Sequence, residues 1–216
     1  DEAPVKLKQT YRTPTEHHHP LEPPATLAVP SGDELVLYDS TQWVASTRAG
    51  VAHLLGLPLA KVRVVSPFVG GGFGCKGFLW PHTILAAMAA QLLKRPVKVA
   101  LSRQQMATAC GHRPETIQTL QLAATTDGTL RALMHSTLSR TSTVDEYFEQ
   151  ASSVGRGLYA CANVRTAHQF VRTDLATPTI MRAPGEAPGL FALECGLDEL
   201  AGHLGLDPVR LRQLNH

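Results

Sequence analysis

Short apolar runs set between Gly, Pro and Asp turns, with helix-period segments following them, restrict this 216-residue chain to a mixed α+β architecture. Residues 25–29 and 34–39 flank Pro30-Ser31-Gly32-Asp33, whose turn chemistry predicts a hairpin. The spacing of Val44, Val51, Leu54 and Leu55 predicts an amphipathic helix ended by Gly56. A short strand over 62–65, a buried Ala/Leu/Ile-rich helix over 81–93 and a strand over 96–101 complete the order ββαβαβ. The order then begins again. A second hairpin, 117–124 with 130–139, turns about Asp127-Gly128 and leads to a helix-like 144–153 and a strand over 164–171. Leu190, Leu193, Leu197, Leu200 and Leu204 predict a helix over 189–204, and Asp207-Pro208 opens a shorter one. The final strand of this second set is missing. The expected fold is therefore α+β, two related ββαβαβ-type units with mixed sheets and helices on one face, the second incomplete. The expected boundaries are an extended arm over 1–24, a first unit over 25–114 carrying a Gly-rich loop, and a second over 115–216, truncated at its C-terminus. Within the arm Pro4, Pro14, Pro20, Pro23 and Pro24 deny a long helix or a central strand.

Composition removes several classes of function. At 44% hydrophobic residues the chain can bury a core, yet no apolar run approaches the ~20 residues of a membrane span, so no membrane partner is expected. The start, Asp1-Glu2-Ala3-Pro4, carries no signal sequence, and its lack of Met, with an ending at Asn215-His216 straight after a helical pattern, suggests a piece of a longer polypeptide. The expected compartment is the cytoplasm, or the periplasm if a partner subunit carries the export signal. Cys75, Cys110, Cys161 and Cys195 form no Cys-x-x-Cys pair, which leaves no iron–sulfur or zinc framework and reads as reduced thiols. Net charge is only +2, but residues 41–114 contain no Asp or Glu while holding Arg48, Lys61, Arg63, Lys76, Lys94, Arg95, Lys98, Arg103 and Arg113. Such a stretch either favours an anionic ligand or is a basic surface covered by acidic neighbours. Nucleic acid is not an expected partner, because aromatic residues are not interleaved with these cations: Phe73, Phe78 and Trp80 gather at the glycines.

Two segments carry chemistry. Gly70-Gly71-Gly72-Phe73-Gly74-Cys75-Lys76-Gly77 lies between a strand and a helix, where glycines let backbone N–H groups approach a ligand. Gly72 to Gly77 matches the dinucleotide pattern G-x-G-x-x-G, but no acidic residue lies ~20 positions on to hold a ribose. A phosphate P-loop fails too, since Gly77 follows Lys76. A purely structural turn stays open on spacing alone. The second segment, Thr177 to Gly189, places three prolines and two glycines around Arg182 just before a helix, a rigid loop suited to presenting backbone groups and a planar guanidinium. His17-His18-His19 has no carboxylate–His spacing of a closed site, so no metal-ligating residue is expected there.

Glu16 to Thr26, Ser40-Thr41-Gln42, Gly70 to Lys76, and Met181 to Gly189 with Phe191-Ala192-Leu193-Glu194 stand in the order and spacing of the molybdenum hydroxylases. Over essentially its whole length the chain resembles the N-terminal half of the molybdopterin-binding region in the large subunit of the xanthine dehydrogenase and aldehyde oxidase family, bacterial aldehyde oxidoreductases above all. The resemblance implies hydroxylation of an aldehyde or N-heterocycle with water as the oxygen source. Gln42 matches the glutamine whose amide approaches the molybdenum oxo ligand, and Arg156 a catalytic-site arginine. Gly71, Gly72, Phe73 and Gly74 match the cofactor loop, with Gly74 N–H a donor to an oxo group, and Arg182 and Ala183 match backbone contacts to the pterin or to metal-bound oxygen. The family's general-base glutamate lies outside this chain. Cys75 stands where the family has glycine, and Gly77 where xanthine enzymes place a purine-binding glutamate, so xanthine is not the expected substrate. The implied cofactor is molybdenum-molybdopterin, in its simple or cytosine dinucleotide form, with none expected on this piece alone. The implied partners are the rest of the large subunit and iron–sulfur and FAD subunits. The piece alone is expected to show no turnover, and a noncatalytic scaffold without cofactor is the alternative.

Overall fold

The computed structural model describes residues 3–216. In chain order these form β1 (Val5–Thr13), β2 (Glu16–His17), β3 (Ala25–Ser31), β4 (Glu34–Asp39), α1 (Val44–Leu54), β5 (Val62–Val65), α2 (Pro81–Leu93), β6 (Val97–Ala100), α3 (Arg103–Ala109), β7 (His112–Arg113), β8 (Thr116–Ala124), β9 (Leu130–Ser142), β10 (Asn163–Thr173), α4 (Glu186–Leu204) and α5 (Pro208–Leu214). Single 3-10 turns occur at Leu59–Lys61, Cys75–Gly77 and Ala151–Arg156. The chain divides into two compact units. One, the glycine-loop unit, holds His17–His112 and Thr179–Met181; the other, the arginine-loop unit, holds the residues up to Glu16, Arg113–Pro178 and Arg182–His216. Among the described residues no helix is long and apolar enough to cross a membrane.

The glycine-loop unit is built on a sheet of order β5-β4-β3-β6, with β4 and β5 parallel and the other pairs antiparallel. Gly32 takes a positive φ of 60° in the β3–β4 turn, as the hairpin requires. Alternation along β4 sends Leu35 and Leu37 into a core closed by Val51 of α1 and by Ala86, Ala87 and Ala90 of α2. Full burial of each leucine contributes about 1.5–3 kcal/mol. The small alanines bring α2 close against β3 and β6. That helix is not buried all round, contrary to its nearly uniform apolar composition: Leu85, Met88 and Leu92 face away from the core, Leu92 with 83% of its surface exposed.

The arginine-loop unit has a sheet of order β1-β8-β9-β10, with β9 and β10 parallel and the rest antiparallel. Helix α4 lies on β1 and β8 and drives Leu193, Leu197 and Leu200 into a core with Leu7, Leu120 and Leu133. The two sheets therefore share one plan, with β8, β9 and β10 in the places of β3, β4 and β5. The strand expected to be missing is present: β1, from the N-terminal end, stands where β6 stands in the other sheet, antiparallel at the edge. The first 24 residues are thus not simply an arm. Pro4 and Pro14 bracket β1 and leave it an edge strand, so the division of the chain falls at residues 16 and 113 rather than at 24 and 114.

One expected helix does not form. Over 144–153 only a 3-10 turn, Ala151–Arg156, is found. Side chains compete for the backbone there: Ser142 Oγ accepts from Val144 N (3.1 Å) and Asp145 N (2.9 Å), and Thr141 Oγ1 accepts from Tyr147 N at 3.0 Å. These bonds close local turns over residues 141–147, and Val144 is left 92% exposed.

Each unit buries a neutral histidine, which makes both acid-sensitive. In the arginine-loop unit His135 Nε2 donates to Gln118 Oε1 at 2.9 Å, and its Nδ1 is buried without a partner. Burial pushes its pKa down to about 4, and burial followed by the Lys76 charge does the same for His82 in the glycine-loop unit. The folded-state values lie below the ordinary 6.5, so the unfolded chain binds more protons as pH falls between 6.5 and 4. Stability is whole above pH 6.5 and declines through that window, by on the order of 3 kcal/mol per histidine at the acid limit. Urea midpoints measured between pH 7.5 and 4 should fall steeply, and His135→Gln should flatten the fall.

Candidate functional site

In the glycine-loop unit the chain leaves β5 and winds through four residues of positive φ, Gly70 (68°), Gly71 (77°), Phe73 (55°) and Gly74 (103°). The left-handed region is open to glycine and costs a side-chain-bearing residue about 1 kcal/mol, so Phe73 is held there by its surroundings. Those surroundings are tight. A Cβ on Gly72 would run into the Gln42 carboxamide, one on Gly70 into the Glu22 carboxylate, and one on Gly74 would stand 2.5 Å from Ile180 O. Gln42 and the glycine turn are therefore brought together, and Gln42 Oε1 accepts from Gly74 N–H at 3.1 Å. The amide expected to serve an oxo group is thus given to Gln42, which leaves the carboxamide NH2 as a donor on an exposed side chain. The Phe73 ring is 42% exposed on the same turn.

Lys76 organises this arrangement. Although 2% exposed, it donates from Nζ to Glu22 O at 2.8 Å and to Val69 O, tying the Pro-rich segment to the residue that precedes the glycines. Its own carbonyl accepts from Gln42 N at 2.8 Å and from Thr41 Oγ1 at 3.1 Å. Burial lowers the Lys76 pKa, with Arg103 adding to the effect and Glu22, Cys75 and Asp39 opposing it. Arg103 in turn donates to Pro20 O and, at 2.7 Å, to Leu21 O. Asp39 is buried and hydrogen-bonded by Thr26 and Thr83; burial raises its pKa against those bonds and the Lys76 charge. The acid-free stretch is thus partly an internal scaffold. Lys76 is no solvated cation.

The three-residue excursion Thr179–Met181 packs into the same unit. Thr179 N donates to His112 O (2.9 Å), and His18 Nε2 donates to Ile180 O (2.7 Å). His17 lies with its ring centroid 5.8 Å from that of His19 and 5.9 Å from that of His112. Among the described residues no group of three or more His, Cys, Asp or Glu side chains is placed to hold a metal ion.

In the arginine-loop unit the second segment is held by a residue other than its own arginine. Arg113, 4% exposed, donates from Nε to both oxygens of Glu149 (3.1 and 2.9 Å), from Nη1 to Glu16 (3.2 Å), and from Nη2 to Arg182 O (2.7 Å) and Ala183 O (3.2 Å). Glu149, 3% exposed, also accepts from Gly185 N at 3.1 Å, just before α4 begins. Ala183 is held at a φ of 56°, and the Arg182 side chain is exposed. A cavity of about 300 Å³ opens beside this loop, lined by Arg12, Glu16, Arg113 and Phe191 among others. A larger open hollow of about 1030 Å³ along β1, β8 and β9 touches none of the expected site residues. Arg156, at the end of its 3-10 turn, donates to Thr166 Oγ1 on β10 at 2.7 Å.

Sequence reasoning singles out neither Lys76 nor Arg113 and Glu149 as organisers. A lysine directly after the glycines is the only available signal for the first; nothing in sequence links residues 113 and 149. Each unit thus carries one backbone-strained loop held by a buried cation, the glycine turn by Lys76 and the proline loop by Arg113. A family model describing the molybdopterin cofactor-binding domain matches residues 1–216, and the chain belongs to that family. It is 43% identical over 215 residues to the aldehyde oxidoreductase molybdenum-binding subunit PaoC of Escherichia coli K12, covering 99% of this chain and 29% of that protein. It is 32% identical over 220 residues to the putative xanthine dehydrogenase molybdenum-binding subunit XdhA of the same organism, again covering 29% of the relative. Among solved structures, quinoline 2-oxidoreductase from Pseudomonas putida 86 matches with a TM-score of 0.92 at 25% identity, covering 99% of this chain and 28% of that one. The aldehyde oxidoreductase from Desulfovibrio gigas matches with a TM-score of 0.87 at 27% identity, covering 99% of this chain and 24% of that one.

Proposed function

We propose that this chain holds part of a molybdenum-molybdopterin cofactor within an oxidoreductase subunit that hydroxylates aldehydes or N-heterocycles with oxygen from water. The observation that carries the reading is the Gln42–Gly74 hydrogen bond drawn across glycines with no room for a Cβ. The residues fit the group. Backbone at Gly71, Gly72 and Phe73 can approach a flat ligand, and the exposed Gln42 carboxamide offers a neutral donor to an anionic metal dithiolene, with Lys76 buried behind the turn and the Glu22 carboxylate packed at Gly70. When bound, the cofactor supplies the two-electron redox chemistry; the chain's own part is to orient it, with Gln42 as donor and Phe73 as an apolar wall. Arg182 and Ala183 contribute backbone groups stiffened by Arg113.

An aldehyde is favoured over xanthine, because Gly77 offers no carboxylate to a purine and the aldehyde oxidoreductase relative shares more identity. Electrons leave through iron–sulfur and FAD partners, since this chain carries no Cys framework for a cluster. The general base comes from polypeptide beyond the matched region, so the isolated 216 residues turn nothing over. Arg156 acts only if released from Thr166. The cytosine dinucleotide form would reveal itself as CMP on hydrolysis of the denatured protein, and the compartment is the cytoplasm, or the periplasm if a partner carries the export signal. A noncatalytic scaffold is the second reading, favoured by the same Gly74 N–H being already satisfied by Gln42. Gln42→Ala in the full-length subunit separates the two. Cofactor binding predicts molybdenum per subunit reduced roughly tenfold with unchanged circular dichroism; equal molybdenum in both proteins, or none in either, rejects the proposal.

A further inference from the structure

Behind the glycine turn lies a second constellation with its own chemistry. Cys75 opens the 3-10 turn that follows Gly74, and Cys110 ends α3; together with Met106 they form a small buried cluster under Trp80 and Leu101. The two cysteines share this one cluster. Neither is bonded in a disulfide, and their exposures are 0% and 6%. The backbone around them is fixed: Cys75 N donates to Gly72 O at 3.0 Å, Trp80 Nε1 donates to Cys75 O at 2.7 Å, and Cys110 N donates to Met106 O at 3.1 Å.

We propose that Cys75 and Cys110 form a redox-active dithiol, a modification site for two-electron oxidants of the peroxide class that closes to a disulfide and locks the glycine turn to the end of α3. Cys75 is the attacking sulfur. The neighbouring Cys110 thiol first, then Lys76 and the Trp80 indole, shift the Cys75 thiol toward the thiolate against the opposing effect of burial, while Cys75 and burial push Cys110 toward the protonated form. The Cys75 sulfur attacks one peroxide oxygen, forming an S–O bond as the O–O bond breaks, and the leaving hydroxide takes a proton to become water. The Cys110 sulfur then attacks the Cys75 sulfur; the S–S bond forms, the S–O bond breaks, and a second water leaves. Two thiols and one peroxide become one disulfide and two waters, so the protein loses two electrons and the peroxide gains them. Burial excludes larger disulfides as oxidants, which is why the class proposed is a small neutral peroxide. Sulfur atoms already in one cluster need only close to about 2 Å.

The test reads only sulfur, so its outcome does not depend on the proposed function. The full-length protein is exposed to hydrogen peroxide, denatured in iodoacetamide and digested without reduction. A cross-linked species joining the peptides of Cys75 and Cys110 is expected, about 2 Da lighter than the two free peptides and released by dithiothreitol. Cys161 and Cys195 should be recovered alkylated. In Cys110→Ser the link should vanish, and Cys75 should instead be trapped by dimedone as the sulfenic acid. In the oxidised protein amide exchange over residues 72–77 should slow about tenfold. Met88, half exposed, reports that oxidant reached the protein. Full alkylation of Cys75 and Cys110 after Met88 has become sulfoxide overturns the proposal, as does a link from either one to Cys161 or Cys195, or a link that forms only in urea.

Discussion

Gly74→Ala is expected to destabilise the glycine-loop unit by about 2–4 kcal/mol, a loss large enough to lower the urea midpoint plainly. Two causes add. At φ 103° and ψ −31° the residue lies outside any region an L side chain occupies comfortably. The new Cβ would also stand 2.5 Å from Ile180 O, a backbone atom already held by His18, so the obstruction cannot swing aside as a flexible side chain would. Relief would come from pulling residues 73–75 away, and that movement breaks the Gly74–Gln42 hydrogen bond. Gly77→Ala, three residues on, is the control: its φ is not positive and nothing lies within 4 Å of the new carbon, so its effect should stay within about 0.5 kcal/mol. Equal midpoints for the two variants would show that the turn has slack, and with it the idea of a preorganised cradle would fail.

The difference between those two glycines also marks how far local sequence signals reach. Gly72, Gly74 and Gly77 sit in one glycine-rich run, and the run is legible as a place where backbone approaches something. Nothing in it distinguishes Gly74, which faces a carbonyl 106 positions away, from Gly77, which faces open space. The strands and most helices are legible because hairpin turns and leucine spacing are local signals: 81–93 and 34–39 match α2 and β4 to the residue. In place of the helix expected over 144–153 stand turns closed by the Ser142 and Thr141 hydroxyls, side-chain-to-backbone bonds that apolar spacing does not encode. The strand expected to be missing is hidden for a different reason. β1 precedes the unit it completes by about a hundred residues, and its pairing with β8 is a tertiary choice that alternation within nine residues cannot announce. Gln42 is identified by resemblance and not by chemistry, since an isolated glutamine after Ser40-Thr41 has no local signature. Lys76 and Arg113 are visible as cations but not as buried ones, because burial depends on what a distant segment offers as a partner.

For Arg113 the decisive partner is Glu149, and Glu149→Ala is expected to lower stability by about 3–5 kcal/mol. The pair is almost wholly withdrawn from water, with side-chain exposures of 5% and 1%, so deleting the carboxylate leaves a guanidinium whose desolvation is no longer offset. Glu16 would still face Arg113, but at 44% side-chain exposure its charge is screened and it replaces little of what is lost. Glu149→Gln keeps one acceptor oxygen, which Arg113 Nε and Gly185 N can share, but removes the charge and the second acceptor, so it should fall between wild type and Glu149→Ala. The exposed pair Arg172–Glu146, at 60% and 48%, sets the scale for a surface contact, and Glu146→Gln should change stability by less than about 1 kcal/mol. The loop supplies a readout that global melting does not. Arg113 fixes the carbonyls of Arg182 and Ala183, so its release should free the peptide bond between them, and trypsin should cut after Arg182 several-fold faster in Glu149→Ala than in wild type or Glu146→Gln. Should the variant melt like wild type and resist cleavage at that bond, Arg113 would not be what holds the second loop, and the strained φ of Ala183 would need another cause.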